Sequence, residues 1–129
     1  MPTVVYDAGA LIAAEHNDRR LWAKHRARLE AGLVPLVSST VVAQVSRSER
    51  QVQLRRLLAG CTIIPFREDD AHAAGVLLAR ANTSDVVDAA VVTLALAHHA
   101  EVIVTSDPSD LRALLDVART KSNVQVTDA

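Results

Sequence analysis

Short runs of β-branched residues alternate along the chain with longer stretches whose apolar positions recur at helical spacing, a pattern that predicts a parallel sheet covered by helices. Strands are expected near Thr3 to Tyr6, Val34 to Val37, Thr62 to Phe66, Glu101 to Thr105 and Val124 to Val126. Helices fill the gaps. Asp18 can cap one that carries Leu21, Trp22, His25 and Leu29 on a single face and stops at Gly32. Ser38 or Ser39 can cap a short helix through Val45, and another with Val52, Leu54, Leu57 and Leu58 ends at Gly60. A further helix runs from about Asp69 to Arg80. Ser84 is placed to cap the most apolar segment, Val86 to Ala97, which leaves so little polar surface that it must pack inside or against a partner. Pro108 after Asp107 marks the start of one more helix. No linker, repeat or low-complexity stretch divides the chain, so residues 1–129 are expected to form one undivided unit, frayed from about Thr127 onward.

Composition narrows the classes. Half of the residues are hydrophobic, yet Tyr6, Trp22 and Phe66 are the only aromatics, which disfavours modules that stack bases on aromatic platforms. The single cysteine, Cys61, cannot form an internal disulfide, and no zinc-type spacing occurs, so a cytoplasmic setting is expected. The apolar start carries Asp7 and lacks a basic flank, and the run from Val86 to Ala97 is interrupted by Asp88 and too short to span a membrane. Charge is unevenly distributed. From Arg19 to Arg56, nine Lys or Arg face Glu30 and Glu49, a net +7, while the remainder is −8 and the whole chain −1. A basic half beside an acidic half suits an enzyme that holds cations and a polyanion together, although solvated helix faces would give the same bias.

The carboxylates carry the chemistry. Asp7 follows Thr3-Val4-Val5-Tyr6 and Asp107 follows Val102 to Ser106, which puts both beyond the carboxyl ends of strands, where open parallel sheets bind ligands. An aspartate between a strand and a helix is commonly an N-cap, and for either residue alone that reading stays open. Asp85 and Asp88 sit three residues apart on one face of the most apolar helix, and Asp88 lies where the dipole benefit has faded. Asp107 and Asp110 repeat the spacing, with Asp110 where a capping box puts its reciprocal acid. Asp7, Asp88 and Asp107 are therefore the expected inner ligands of a cation, with Asp85 and Asp110 supplementary. Hard oxygen donors without His or Cys select Mg²⁺ or Mn²⁺. His98 and His99 close a helix, where the dipole favours a cation, and neither pairs with a carboxylate set. No Walker loop, dinucleotide turn or serine elbow occurs.

Val4-Val5-Tyr6-Asp7-Ala8-Gly9-Ala10, Asp88-Ala89-Ala90-Val91-Val92 and Val102-Ile103-Val104-Thr105-Ser106-Asp107, in that order, resemble the anchor segments of PIN domains, and most of all the VapC-type toxins of type II toxin–antitoxin modules. The resemblance implies a three-layer α/β/α sandwich with a mostly parallel central sheet. It also implies Mg²⁺- or Mn²⁺-dependent cleavage of RNA, restrained by a cognate antitoxin. Asp7, Asp88 and Asp107 match family acids, and Asp110 the supplementary one. One departure stands out: the helix after the second strand carries Gln44 where such proteins usually have glutamate. Either Asp85 replaces the missing charge, or the chain is a weakened PIN-like module that grips RNA or protein. Arg47, Arg50 and Arg112 are candidates for holding phosphates, since arginine offers bidentate contacts. Val- and Ala-rich surfaces suggest a homodimer. A receiver-like phosphoacceptor domain would also gather aspartates, but it needs a well-placed lysine, and Lys24 and Lys121 are the only two.

Overall fold

In the computed structural model, which describes residues 2–118 and 123–129, five strands form one sheet in which every neighbouring pair is parallel. Lys121 lies outside the described residues. The strands are β1 (Val4–Tyr6), β2 (Leu36–Ser38), β3 (Thr62–Ile64), β4 (Val102–Thr105) and β5 (Gln125–Asp128), in the spatial order β3-β2-β1-β4-β5. All five overlap the expected runs, β5 lying at Gln125–Asp128 where Val124 to Val126 was expected. The second begins two residues later than the pattern suggests, after Pro35, which has no N–H to give to a ladder. The expected fraying at the C-terminus is not observed: β5 extends to Asp128, and the Ala129 N–H donates to the Thr105 carbonyl at 3.0 Å.

Strand order dictates where the helices go. From the central β1 the chain moves outward to β2 and β3, then crosses back to β4 and continues to β5. Right-handed crossovers place the helices of the outward path on one face and those of the return path on the other. The contacts agree. On the outward side α1 (Ala8–Glu15) packs on α2 (Arg19–Glu30), α3 (Ser39–Val45) and α4 (Val52–Ala59). On the return side α5 (Glu68–Ala81), α6 (Val86–Ala97) and α7 (Pro108–Val117) pack on one another, which completes a three-layer α/β/α sandwich. The core is aliphatic, as a chain poor in aromatics requires. Val5, Val37, Ile103 and Val104 of the inner strands are buried, and so is every residue of α6 from Ala89 to Ala95. That continuous burial explains why α6 has no polar face.

Caps fix the helix starts. Asp18 accepts from the Leu21 N–H at 2.9 Å, and Ser38 accepts from the Thr40 N–H at 3.3 Å. At α6 the cap is Asp85 and not Ser84: its carboxylate accepts from the Asp88 N–H at 3.0 Å. The start of α4 has no cap of its own. Glu15, at the end of α1, accepts from the Leu54 N–H at 2.9 Å and ties the two helices together. The Tyr6 hydroxyl accepts a hydrogen bond from Arg28 at 3.1 Å and shares another with His25 Nδ1, 2.8 Å away. Burial and the nearby Arg28 lower the His25 pKa, in keeping with a neutral ring.

One close approach decides the geometry at the top of the sheet. Gly9, in the first turn of α1, lies so near the turn after β4 that an added Cβ would stand 2.4 Å from the Ser106 N and 2.7 Å from its Cβ. A methyl group there meets backbone and cannot be accommodated by a rotamer change. Gly9→Ala is therefore expected to push α1 away from the β4–α7 turn and to destabilise the fold by about 1–3 kcal/mol. A urea denaturation midpoint unchanged from the parent chain would show that the approach is not tight.

Candidate metal centre

The order of the strands reverses direction between β1 and β4, and at such a switch point a crevice opens beyond the strands' carboxyl ends. Asp7 follows β1 and Asp107 follows β4, so this crevice receives both. The return path adds the start of α6, with Asp85 and Asp88, and the first turn of α7, with Asp110.

Capping does not explain Asp7 or Asp107. Each precedes a helix, yet neither side chain makes a cap hydrogen bond. The capping box expected from Asp110 is also absent, because the Asp107 N–H donates instead to Thr105 Oγ1 at 3.0 Å. Thr105 links the two acids. Its hydroxyl donates to Asp7 Oδ2 at 2.7 Å while accepting from Asp107, which fixes the rotation of the Asp7 carboxylate. The other oxygen, Asp7 Oδ1, is buried without any hydrogen-bond partner, on a residue only 4% exposed. A desolvated carboxylate oxygen left unpaired is costly, and it is the kind of atom a cation satisfies.

The electrostatics point the same way. Asp88 is pushed up to about 7, first by burial and then by the negative charges of Asp85 and Asp7, a hydrogen bond with Asp85, and the charge of Asp110. Asp107, which is exposed, is also raised, mainly by its hydrogen bond with Asp110 and that residue's charge, with smaller effects from burial, Asp7 and Asp85. Among the described residues, every charge acting on this pair is an aspartate, with no lysine or arginine to compensate it. The five sequence-predicted acids thus feel one another. Asp85, Asp88 and Asp110 line a cavity of about 160 Å³ with Thr83, and Asp7 and Asp107 stand outside its lining. Among the described residues no three His, Cys, Asp or Glu side chains are arranged to hold a metal ion as they stand. The oxygen-only donor set and the orphaned Asp7 Oδ1 nevertheless suit Mg²⁺ or Mn²⁺.

None of the remaining candidates hydrogen-bonds to these aspartates among the described residues. Gln44 is exposed on α3, outside the hydrogen bonds that tie the aspartates. Arg47 turns back on its own helix end, donating to the Ser46 carbonyl at 2.8 Å, and Arg112 reaches the Val126 carbonyl at 3.5 Å. Arg50 is exposed in the α3–α4 connection. Of the basic stretch, Arg28 and Arg56 stack over Tyr6 and Trp22, each 5.4 Å from the ring centre. Two residues of the site escaped the sequence reading, Thr105 and Gly9. The available signals were a hydroxyl ending a β-branched run two residues before an aspartate, and a glycine in the first turn of a helix, where it costs stability unless backbones must approach.

The sequence profile of the family described as PIN domain matches residues 4–114. No curated protein matches the chain. Among solved structures, VapBC2 from Rickettsia felis, bound to a DNA fragment from its promoter, is similar with a TM-score of 0.70 at 16% identity, over 98% of each chain. A toxin–antitoxin complex from Klebsiella pneumoniae gives a TM-score of 0.64 at 20% identity, over 83% of this chain and 88% of that one. At such identities these likenesses concern the fold. Among the described residues no helix is long and apolar enough to cross a membrane.

The raised Asp88 carboxyl has a consequence for stability. Its folded pKa of about 7 exceeds the unfolded value near 3.8, so the native state binds more protons in between, and stability falls as pH rises through that window. In chelator, Asp88→Asn is expected to be more stable than the parent chain at about pH 8 and nearly equal to it at about pH 4. Taking the difference between the two proteins removes the contribution of His25, whose lowered pKa acts in the opposite sense. Equal urea midpoints at both pH values would mean that Asp88 is not held up by its neighbours.

Proposed function

The chain belongs to the PIN domain family, and from that premise we propose that it is a Mg²⁺- or Mn²⁺-dependent endoribonuclease, the toxin of a toxin–antitoxin pair. The observation that carries this reading is the buried, unpartnered Asp7 Oδ1, together with an Asp88 whose acidity is suppressed first by burial and then by three other aspartates, Asp7 among them. Asp7, Asp88 and Asp107 are the proposed inner ligands, with Asp85 and Asp110 supporting them. Asp85 already spends one oxygen on the Asp88 N–H, which suits an outer role. A bound divalent ion would supply charge neutralisation and activation of water for in-line displacement at phosphorus. The chain's own part is to hold the carboxylates in register. Thr105 orients Asp7, and the Gly9–Ser106 approach keeps α1 and the β4–α7 turn together. Arg47, Arg50 and Arg112 are the proposed phosphate contacts, each on an exposed segment that RNA can reach.

The proposed partners are RNA, a cognate antitoxin and a second copy of the chain, in the cytoplasm. Both similar structures are toxin–antitoxin assemblies by description, which supports the antitoxin. One observation favours a second reading, a PIN-like module with weakened cleavage that grips RNA or protein: Gln44 brings no charge to the site.

Asp7→Asn and Asp88→Asn are each expected to reduce Mn²⁺-dependent RNA cleavage by at least about 100-fold while leaving the circular dichroism spectrum unchanged. Cleavage by the purified parent chain that survives excess chelator would remove the metal from the account. Gln44→Glu is expected to tighten Mg²⁺ binding measured by calorimetry. Equal or weaker affinity would place that side chain out of reach of the ion.

A further inference from the structure

The aspartates share a wall with a second cavity. Thr83 lines the space between Asp85, Asp88 and Asp110, and it also lines an open pocket of about 390 Å³ with Leu78, Ala79, Asn82 and Ser84. That volume falls in the range of sites that hold small ligands. The pocket forms where α5 ends. Asn82 takes the left-handed conformation, φ 54°, as the cap of that helix, and the Thr83 N–H donates to the Leu78 carbonyl at 3.1 Å. The turn is thus tied to α5 on one side and to the start of α6 on the other.

Three consecutive polar side chains are left over there. Asn82, Thr83 and Ser84 are exposed, and among the described residues none of their side chains forms a hydrogen bond within the chain. The Ser84 hydroxyl is free because Asp85 caps α6 in its place. Glycine meets a left-handed cap most cheaply, so the backbone alone does not call for the carboxamide of Asn82.

The lining says what would fit. Among the described residues no lysine or arginine lines the pocket, which makes it a poor seat for a phosphate. Leu78 and Ala79 offer an apolar floor, and the three polar residues a neutral hydrogen-bonding rim. A nucleobase presents the complement, a flat apolar face with a polar edge. Tyr6 is buried and Trp22 and Phe66 are half-buried, so a base of single-stranded RNA has to be read here by its edge and not by aromatic stacking. A carboxamide donates and accepts side by side, which matches the N7 acceptor and N6 donor of adenine; the paired acceptors of guanine call for arginine.

We propose that Asn82, with Thr83 and Ser84, forms the seat for an adenine base of single-stranded RNA that flanks the phosphate held at the aspartates. The proposal rests on the endoribonuclease reading for the placement of that phosphate, and on the pocket alone for the choice of base. Asn82 determines specificity and takes no part in the chemical step.

A pool of short single-stranded RNAs of random sequence, cut by the parent chain in Mn²⁺ and sequenced at the new ends, tests it. Cuts with adenine at one fixed flanking position are expected to exceed those with any other base there by at least about tenfold. Asn82→Gly keeps the left-handed turn while removing the amide, and is expected to bring that preference to within about threefold. The ratio is read within one digest, so it depends neither on the total rate nor on the fraction of folded protein. A preference for another base, no preference, or an adenine preference that Asn82→Gly leaves intact would overturn the proposal while the nuclease reading stands. Should the parent chain cut nothing, fluorescence anisotropy in chelator decides, with labelled oligouridylates carrying a central adenosine, guanosine or cytidine. The adenosine form is expected to bind at least about threefold more tightly than the others and to lose that advantage with Asn82→Gly. That advantage without cleavage would sink the nuclease reading and leave the base seat standing; equal binding of the three forms without cleavage would sink both.

Discussion

Like charges brought out of water repel, and at the top of this sheet the fold gathers five aspartates without one compensating cation among the described residues. The arrangement persists because each carboxylate is delivered by a different rigid element whose position is decided by hydrophobic packing far larger in scale than the local repulsion. β1 brings Asp7, the apolar α6 brings Asp85 and Asp88, and the β4–α7 turn brings Asp107 and Asp110. Burial and this repulsion together hold the Asp88 carboxyl up to about 7, so protonation is one answer to the crowding. A divalent ion is the other answer. The proposed activity is the use of that second answer.

The link from fold to site runs through a small number of contacts. Reversal of strand order between β1 and β4 creates the crevice, and the helix that leaves β1 reaches its partner turn only because Gly9 has no side chain. Thr105 then does two things with one hydroxyl, orienting Asp7 and supplying the acceptor that Asp107's N–H would otherwise lack. Since this bond holds one Asp7 oxygen and leaves the other buried and unpaired, the polarity of the site rests on residues fixed by the strands rather than on flexible surface residues.

Much of this was legible in the sequence, and the reasons can be traced. The β-branched runs and helical spacings point to all five strands and the layered architecture; burial of the inner strands β1, β2 and β4 leaves a strong apolar signature, and the exposed edge strands β3 and β5 are carried by their β-branched residues. The acids stood out because Asp88 interrupts the most apolar helix and the others end strands. Local ambiguity caused the errors. Ser84 and Asp85 are both good caps, and only the register of α6 tells them apart. The C-terminal residues looked loose because pairing with β4 is a non-local event. Thr105 and Gly9 were not picked out, since a threonine at a strand end and a glycine near a helix start have many ordinary uses. Whether the PIN family's usual acid is missed at Gln44 is a question of charge in the assembled site, which no periodicity encodes.

Crystals of the parent chain soaked in Mn²⁺ and measured for anomalous scattering ask the central question directly. The account predicts an anomalous peak between the Asp7 and Asp88 carboxylates, with the ion about 2.2 Å from Asp7 Oδ1. A fully soaked crystal with no peak in the crevice, or with ions only at surface acids while Asp7 Oδ1 remains unbound, would contradict it.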